Sequence, residues 1–505
     1  MSLKRLLKLL AAFLMGQGVT VISQLLIPPF FLLRYGSGVE VYGEWVALTA
    51  AVSYLNSLNY GIQNYANNQM AILYHRDELD QAKAVQANAL RLILIAILAL
   101  SLLGSVAFFL PLARLLSLRH TSSSAASLTI FLMILQLSIG WLFSLISSSY
   151  LVIGQAHRGQ SWANGQRLFF VLTMAAFLWN RASFPVLALT QLVTTVAFLV
   201  FVIVDVRVHA PILLPSLRFG SMKTMVSIMK PSGYFGLLAV SAFLCWQGPV
   251  LIIEKLLGPA SVAIFSLSRV VFNLSRMILI TLTMSISQDI TLLFGQKNWA
   301  GLRRLYDLSE RVVLFLIPTI TVGTLLMCPV LFALWLHKRT LYDPGMCLLM
   351  AAISAVMGIK EHKYQFQVAS NEHQSISRFS LAAYSSMLLL SAFTLKTYGI
   401  ESFLYIWLAT EVVQTAYILS LNFKLFPPDA HLSATPVLRL FAILAISLAA
   451  SAWPAYHSVQ WPLAIVAAVA IGFTLALAAI SYSFFGLKEV RSVLEGRFRR
   501  RFAVG

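Results

Sequence analysis

Arg269 and Arg276 stand two helical turns apart in a stretch, Ala260 to Gln288, that is otherwise nearly free of charge. An arginine at the centre of a bilayer costs about 2.5–3.5 kcal/mol on insertion scales, so each needs a counter-charge, water or a ligand. A guanidinium fork matches the paired oxygens of phosphate or pyrophosphate, which makes anion binding the chemistry these side chains suit. Two readings stay open: a cationic cavity wall for an anionic substrate, or an internal ion pair with the intramembrane carboxylates Glu254 or Glu411.

Polar residues also recur at helical spacing earlier in the chain. Thr49, Ser53, Asn56, Tyr60, Gln63 and Asn67 fall at steps of three or four, one face of an α-helix that lipid would solvate poorly. A gapless shift places Pro29 on Pro249, Gly38 on Gly258, Gly43 on Ala263 and Trp45 on Phe265. The same shift sets Arg269, Asn273, Arg276, Ile280, Thr283 and Ser287 on the matching face, so both halves turn a polar stripe inward. Further along, Lys360, Lys363 and Gln367 share a helical face and extend the candidate anion site. The same cluster can equally reach headgroups or water by snorkelling. Glu44, Glu254, Glu361 and Glu411 are candidate proton carriers if buried.

Catalysis has no candidate. The chain shows no phosphate-cradling glycine loop, no metal-binding histidine pair and no nucleophile beside a base, so neither an enzyme nor a metal or other cofactor is expected. Cys245, Cys328 and Cys347 lie in or near apolar stretches without ligand spacing and are read as packing residues.

The elements that must position these side chains are membrane helices. Of 505 residues 59% are hydrophobic and only 11% charged, too apolar for a water-soluble exterior. A helix crossing roughly 30 Å of hydrocarbon needs about 20 apolar residues. Ten stretches qualify: Leu9 to Leu33, Trp45 to Asn67, Leu92 to Pro111, Leu128 to Ile153, Ser183 to Val204, Gly233 to Ile253, Val312 to Trp335, Phe379 to Leu395, Leu440 to Ala455 and Trp461 to Tyr482. Four shorter or charge-bearing ones, Gln166 to Trp179, Ala260 to Gln288, Gly345 to Gln367 and Ser402 to Phe423, bring the expected total to about fourteen. The expected fold is thus all-α and polytopic. It comprises two six-helix lobes in pseudo-twofold arrangement, at 1–204 and 231–424, joined by a cytoplasmic linker at 205–230. Two additional transmembrane helices at 425–485 and a basic tail at 486–505 complete it. Repeats six spans apart share an orientation, which predicts a site near the midplane between the lobes.

The formal charge of +19 follows from topology rather than nucleic acid. With the N-terminus inside, roughly three-quarters of the Lys and Arg fall on inside segments, as the positive-inside rule demands. Both termini are therefore expected in the cytoplasm, and the first apolar stretch, which lacks a small-residue cleavage site, is expected to be retained. Leu487, Val490, Leu494 and Phe498 alternate with basic residues as in an amphipathic helix on an anionic membrane surface. Pro28, Pro29, Pro249 and Pro318 interrupt apolar helices and are candidate bending points.

Tyr42-Gly43 opening the second span and Asn59-Tyr60-Gly61 farther along it resemble the opening of the Wzx-type polysaccharide flippases, exporters of the multidrug/oligosaccharidyl-lipid/polysaccharide (MOP) superfamily. Asn59 stands where that family usually has an acid. Leu257-Gly-Pro-Ala-Ser-Val-Ala-Ile-Phe-Ser-Leu-Ser-Arg is similar to its eighth-span entrance, with Ala263 replacing the usual glycine. The resemblance implies a flippase that moves an undecaprenyl-pyrophosphate-linked oligosaccharide across the bacterial inner membrane by alternating access, for O-antigen, lipopolysaccharide or exopolysaccharide synthesis. Arg269, Arg276, Lys360 and Lys363 would then hold the pyrophosphate, while Asn56, Tyr60, Gln63, Asn67 and Asn273 meet the sugar. The implied partners are the lipid-linked oligosaccharide, membrane lipids, a polysaccharide polymerase and a chain-length regulator. A drug/cation antiporter of the same superfamily is a rival reading. So are a membrane polymerase or glycosyltransferase and a scaffold of a polysaccharide assembly complex.

Overall fold

Backbone amides in hydrocarbon must bond within their own segment, and every long element of the chain solves this as a helix. The computed structural model describes residues 3–53, 77–219, 237–286, 297–370, 374–427 and 432–485, together with residues 55, 63, 66, 67, 69, 70, 73, 74, 290, 293, 294 and 372. In chain order the helices are α1 (Leu3–Arg34), α2 (Gly38–Ser53), α3 (Leu79–Ser105), α4 (Ser123–Ser147), α5 (Ala156–Trp179) and α6 (Phe184–His209). There follow α7 (Leu237–Leu257), α8 (Pro259–Ser285), α9 (Trp299–Leu336) and α10 (Pro344–Ala369). The stretch Gln374–Leu425 is parted at Gly399 into α11 and α12. Two more, α13 (Thr435–His457) and α14 (Leu463–Phe484), end the described chain.

Eleven of these stretches are long and apolar enough to cross a membrane. The break at Gly399 makes one of them two, and α2 and α5 supply the rest of the fourteen. The 52-residue stretch is a hairpin: Phe379 stacks on Tyr417 at 4.0 Å, Ser380 donates to Gln414 at 3.0 Å and Tyr384 to Glu411 at 3.0 Å. Side chains facing lipid are apolar, as at Leu98 and Leu102, 74% and 72% exposed. Capping residues start the helices where turns require it. Ser122 accepts from the Ala125 amide, Asn298 from that of Gly301, and Asp343 from that of Met346.

By contacts the chain divides into Met1–Ala263 and Ile264–Gly505. The first unit thus takes in α7, which the repeat had assigned to the second lobe. The reason is local: α7 lies against α2, Lys255 donates to the Arg114 carbonyl at 3.2 Å, and Gly43 touches the backbone of Pro259. Within this unit α4 packs along α6 and α1 along α5. Asp205 of α6 ties α5 down, accepting from Arg158 at 2.8 and 2.9 Å and from the Trp162 indole at 3.0 Å, with Tyr150 as a further donor. The start of the expected linker is docked rather than loose, since Gln86 donates to the Leu213 carbonyl and Arg91 to that of Leu217, both at 2.8 Å. The rest of the linker, and the basic tail with its amphipathic pattern, lie outside the described residues.

In the second unit α10 packs against α11 and α12, and the two additional helices pack on α9. Leu279 of α8, Val313 and Ile317 of α9, Ile359 of α10 and Leu440 and Leu444 of α13 share one core. Each unit also repeats an aromatic anchor: Trp45 meets Phe184 at 5.4 Å, and Phe265, its counterpart by the internal shift, meets Phe403 at 5.7 Å.

Candidate functional site

Four consecutive residues of α10, Lys360 to Lys363, organise the polar interior of the second unit. Successive side chains leave a helix about 100° apart, so neighbours in sequence reach different helices. Lys360 pairs with Glu411 of α12 and lies 2.7 Å from the Tyr384 hydroxyl, while Glu411 also accepts from Tyr384 and from the Trp407 indole, each at 3.0 Å. Glu361 turns to α8 and meets Arg276 at 3.2 Å. His362 bonds Ser309 of α9 at 2.8 Å. Lys363 pairs with Glu310 of α9 and sits 4.2 Å above the Tyr306 ring. One turn on, Gln367 donates to Asn422 at 2.8 Å.

These contacts bear on the readings left open by sequence. Arg276 has Glu361 as an ion-pair partner. Arg276 is 5% exposed, with the Met357 sulfur at 3.0 Å and the Asn273 side-chain oxygen at 3.3 Å. Arg269 stands two turns earlier on α8, half-buried, its guanidinium 5.2 Å from the Phe265 ring. Lys360 and Lys363 are buried inside the unit, so they neither snorkel to headgroups nor line an open mouth. Each of the two lysines expected to meet a pyrophosphate lies beside a carboxylate, Glu411 and Glu310 respectively.

The stripe of the first unit is only partly placed. Thr49 and Ser53 donate to carbonyls of their own helix, those of Val46 and Ala50. Gln63 bonds Ser144, and the side-chain oxygen of Asn67 is buried with no hydrogen-bond partner. Asn56, Asn59, Tyr60 and Gly61 lie outside the described residues, as does Ser287 of the matching stripe. Thr283 donates to the Leu279 carbonyl at 2.6 Å.

The candidate proton carriers divide by environment. Glu44 is fully buried and accepts from three donors of one turn, the amides of Arg119 and His120 and the Thr121 hydroxyl, the His120 contact being 2.7 Å. This carboxylate tethers the turn to α2. Glu44→Ala is therefore expected to leave two amides unsatisfied and to cost about 1–3 kcal/mol, read as a lower melting temperature of the purified protein. Glu254, also fully buried, makes no hydrogen bond through either oxygen. Glu361 and Glu411 are the ion-pair partners already described. Sequence reading missed Glu310, Tyr384 and Trp407. Glu310 lies just before the apolar span that begins at Val312, yet Leu302, Tyr306 and Val313 keep a helical apolar period through it. The three cysteines are buried and form no disulfide.

Among the described residues, fourteen helices in this order make an all-α fold that solved membrane transporters share. By sequence, no family model and no curated protein matches it. Among solved structures it is similar to the lipid II flippase MurJ in an inward closed conformation, with a TM-score of 0.70 and 12% identity over 95% of this chain and 99% of that one. An inward-facing multidrug resistance transporter of the MATE family matches with a TM-score of 0.66 and 11% identity, covering 81% of this chain and 95% of its own. A MOP-superfamily transporter from Pyrococcus furiosus, described as having a binding pocket of reverse polarity, matches at 0.53 and 11% over 84% and 95%.

Proposed function

We propose that the protein is a flippase of the Wzx type, carrying an undecaprenyl-pyrophosphate-linked oligosaccharide from the cytoplasmic to the outer leaflet of a bacterial inner membrane by alternating access. The observation that carries this reading is the α8 face, where Arg269 and Arg276 place two guanidinium groups two turns apart and the Glu361 side chain beside Arg276 is 23% exposed. A diphosphate accepts bidentate contacts from such groups. Likeness to a lipid II flippase over nearly the full length of both chains supports it further. In this mechanism Arg269 and Arg276 hold the diphosphate, and Asn273 meets a sugar hydroxyl. Lys360 and Lys363, held by Glu411 and Glu310, keep the wall in place. The lipid tail stays in the bilayer.

The test is a liposome assay in which purified protein moves a fluorescent lipid-linked oligosaccharide between leaflets. Arg269→Ala and Arg276→Ala are each expected to slow movement at least tenfold, about 1.4 kcal/mol of lost stabilisation, and Arg276→Lys less. Full activity in both alanine variants would overturn the assignment. The buried Glu254, which makes no hydrogen bond, is the observation that favours a drug/cation antiporter instead. That reading predicts efflux of cationic dyes, lost in Glu254→Gln, with no movement of the lipid-linked sugar.

A further inference from the structure

The three buried ion pairs of the second unit are built differently. Lys360 and Glu411 have side chains 10% and 0% exposed, and both oxygens of Glu411 are engaged, by Lys360, Tyr384 and Trp407. Lys363 and Glu310 are 1% and 5% exposed, with Tyr306 covering the lysine. Arg276 and Glu361 differ: the arginine side chain is 6% exposed but the glutamate 23%. One oxygen of Glu361 meets Arg276 at 3.2 Å, and the other makes no hydrogen bond at all. In this third pair the carboxylate is held through one oxygen, and the other is buried without a hydrogen bond.

A carboxylate that engages a guanidinium through one oxygen, with its other oxygen desolvated and unbonded, is the easiest of the three to displace. Phosphate oxygens carry more charge and fit the same fork, so they compete for it directly. We propose that Glu361 is an internal stand-in for the substrate's anionic head: an incoming diphosphate takes Arg276 and releases Glu361. The inference rests on the reading of Arg276 as the anion contact. It adds that the empty site keeps its charge balanced without the substrate, and that part of the binding free energy goes into breaking this pair. Lys360 and Lys363 take no part, because Glu411 is held by three donors and Lys363 is covered by Tyr306.

Displacement makes a prediction that a plain structural pair does not. Neutralising Glu361 removes the competitor, so binding tightens; but tighter holding of the bound state without equal gain in the transition state slows turnover. The experiment measures farnesyl diphosphate binding to the full-length protein in detergent by calorimetry, with farnesol and inorganic pyrophosphate as separate arms, beside the liposome assay. Glu361→Gln is expected to bind farnesyl diphosphate about tenfold more tightly than the unmodified protein, with slower lipid movement. Arg276→Ala is expected to bind at least tenfold more weakly, and adding Glu361→Gln to it should change nothing further. Binding of inorganic pyrophosphate with the same variant pattern would identify the free anion as a sufficient ligand, and preference for farnesyl diphosphate would identify a lipid headgroup. Either supports displacement at Arg276.

Glu411→Gln, in a pair with both carboxylate oxygens engaged, is the control for general electrostatics and is expected to give no gain. An equal gain there would overturn the proposal, as would unchanged or weaker binding in a Glu361→Gln protein that still shows a cooperative melting transition. If Glu361→Gln does not fold, Glu361→Asp, which retracts the carboxylate from Arg276 while keeping its charge, serves in its place with the same expected direction. Should Arg276→Ala bind as well as the unmodified protein, the anion-site reading itself falls, an outcome distinct from failure of Glu361 alone.

Discussion

Glu411→Ala is expected to destabilise the second unit by about 3–5 kcal/mol, the range for breaking a buried ion pair from one side. The carboxylate is fully buried and accepts from Lys360, Tyr384 and Trp407. Its loss removes the counter-charge that the Lys360 ammonium meets, in a residue 8% exposed, and the carboxylate acceptor that the indole and phenol share. The measurement is the melting temperature of the detergent-solubilised protein, followed by tryptophan fluorescence or by gel filtration after heating. Removing both charges, in Lys360→Met with Glu411→Leu, should recover most of the loss, because an apolar pair of similar volume carries no uncompensated charge. A Glu411→Ala protein that melts with the unmodified one would show that Lys360 finds another partner or loses its proton.

The second large effect is expected at Gly43, for steric rather than electrostatic reasons. A Cβ built there stands 1.9 Å from the carbonyl oxygen of Pro259 and 2.6 Å from its carbon. Both are backbone atoms, so no rotamer change relieves the clash and α2 must move off the start of α8. Overpacking typically costs about 1–3 kcal/mol, and a fixed backbone neighbour places Gly43→Ala at the top of that range. Gly140 is the internal control: it is in α4 with nothing within 4 Å, and alanine there should be neutral or stabilising through helix propensity. Equal melting temperatures for the two variants would contradict the close contact.

The helices were legible because apolar length is a direct consequence of the solvent, and the split of Phe379 to Leu395 from Ser402 to Phe423 matches a hairpin that turns at Gly399. Partner choice was not legible. Lys363 meets Glu310 and Lys360 meets Glu411 across 53 and 51 residues of sequence, and no local period encodes which helices lie side by side. Sequence marked Arg276 as expensive and named two carboxylates for it. The structure supplied a third, Glu361, because the one-residue steps along Lys360 to Lys363 send that side chain alone toward α8. Glu310 escaped notice for a related reason: it precedes the apolar span that begins at Val312, whereas α9 starts earlier, at Trp299.

Gly399 has φ +71° and ψ −170°, backbone geometry that only glycine adopts readily. One residue therefore does the work of a whole interhelical loop, and α11 and α12 have no slack between them. An epitope, a protease site or a fluorescent reporter inserted at this turn would have to pry the hairpin apart, while the wider connections at His337–Asp343 and Ser458–Pro462 can take one. Topology mapping by insertion should avoid position 399 and use those two turns, and a non-permissive insertion at 399 says nothing about which side of the membrane it faces.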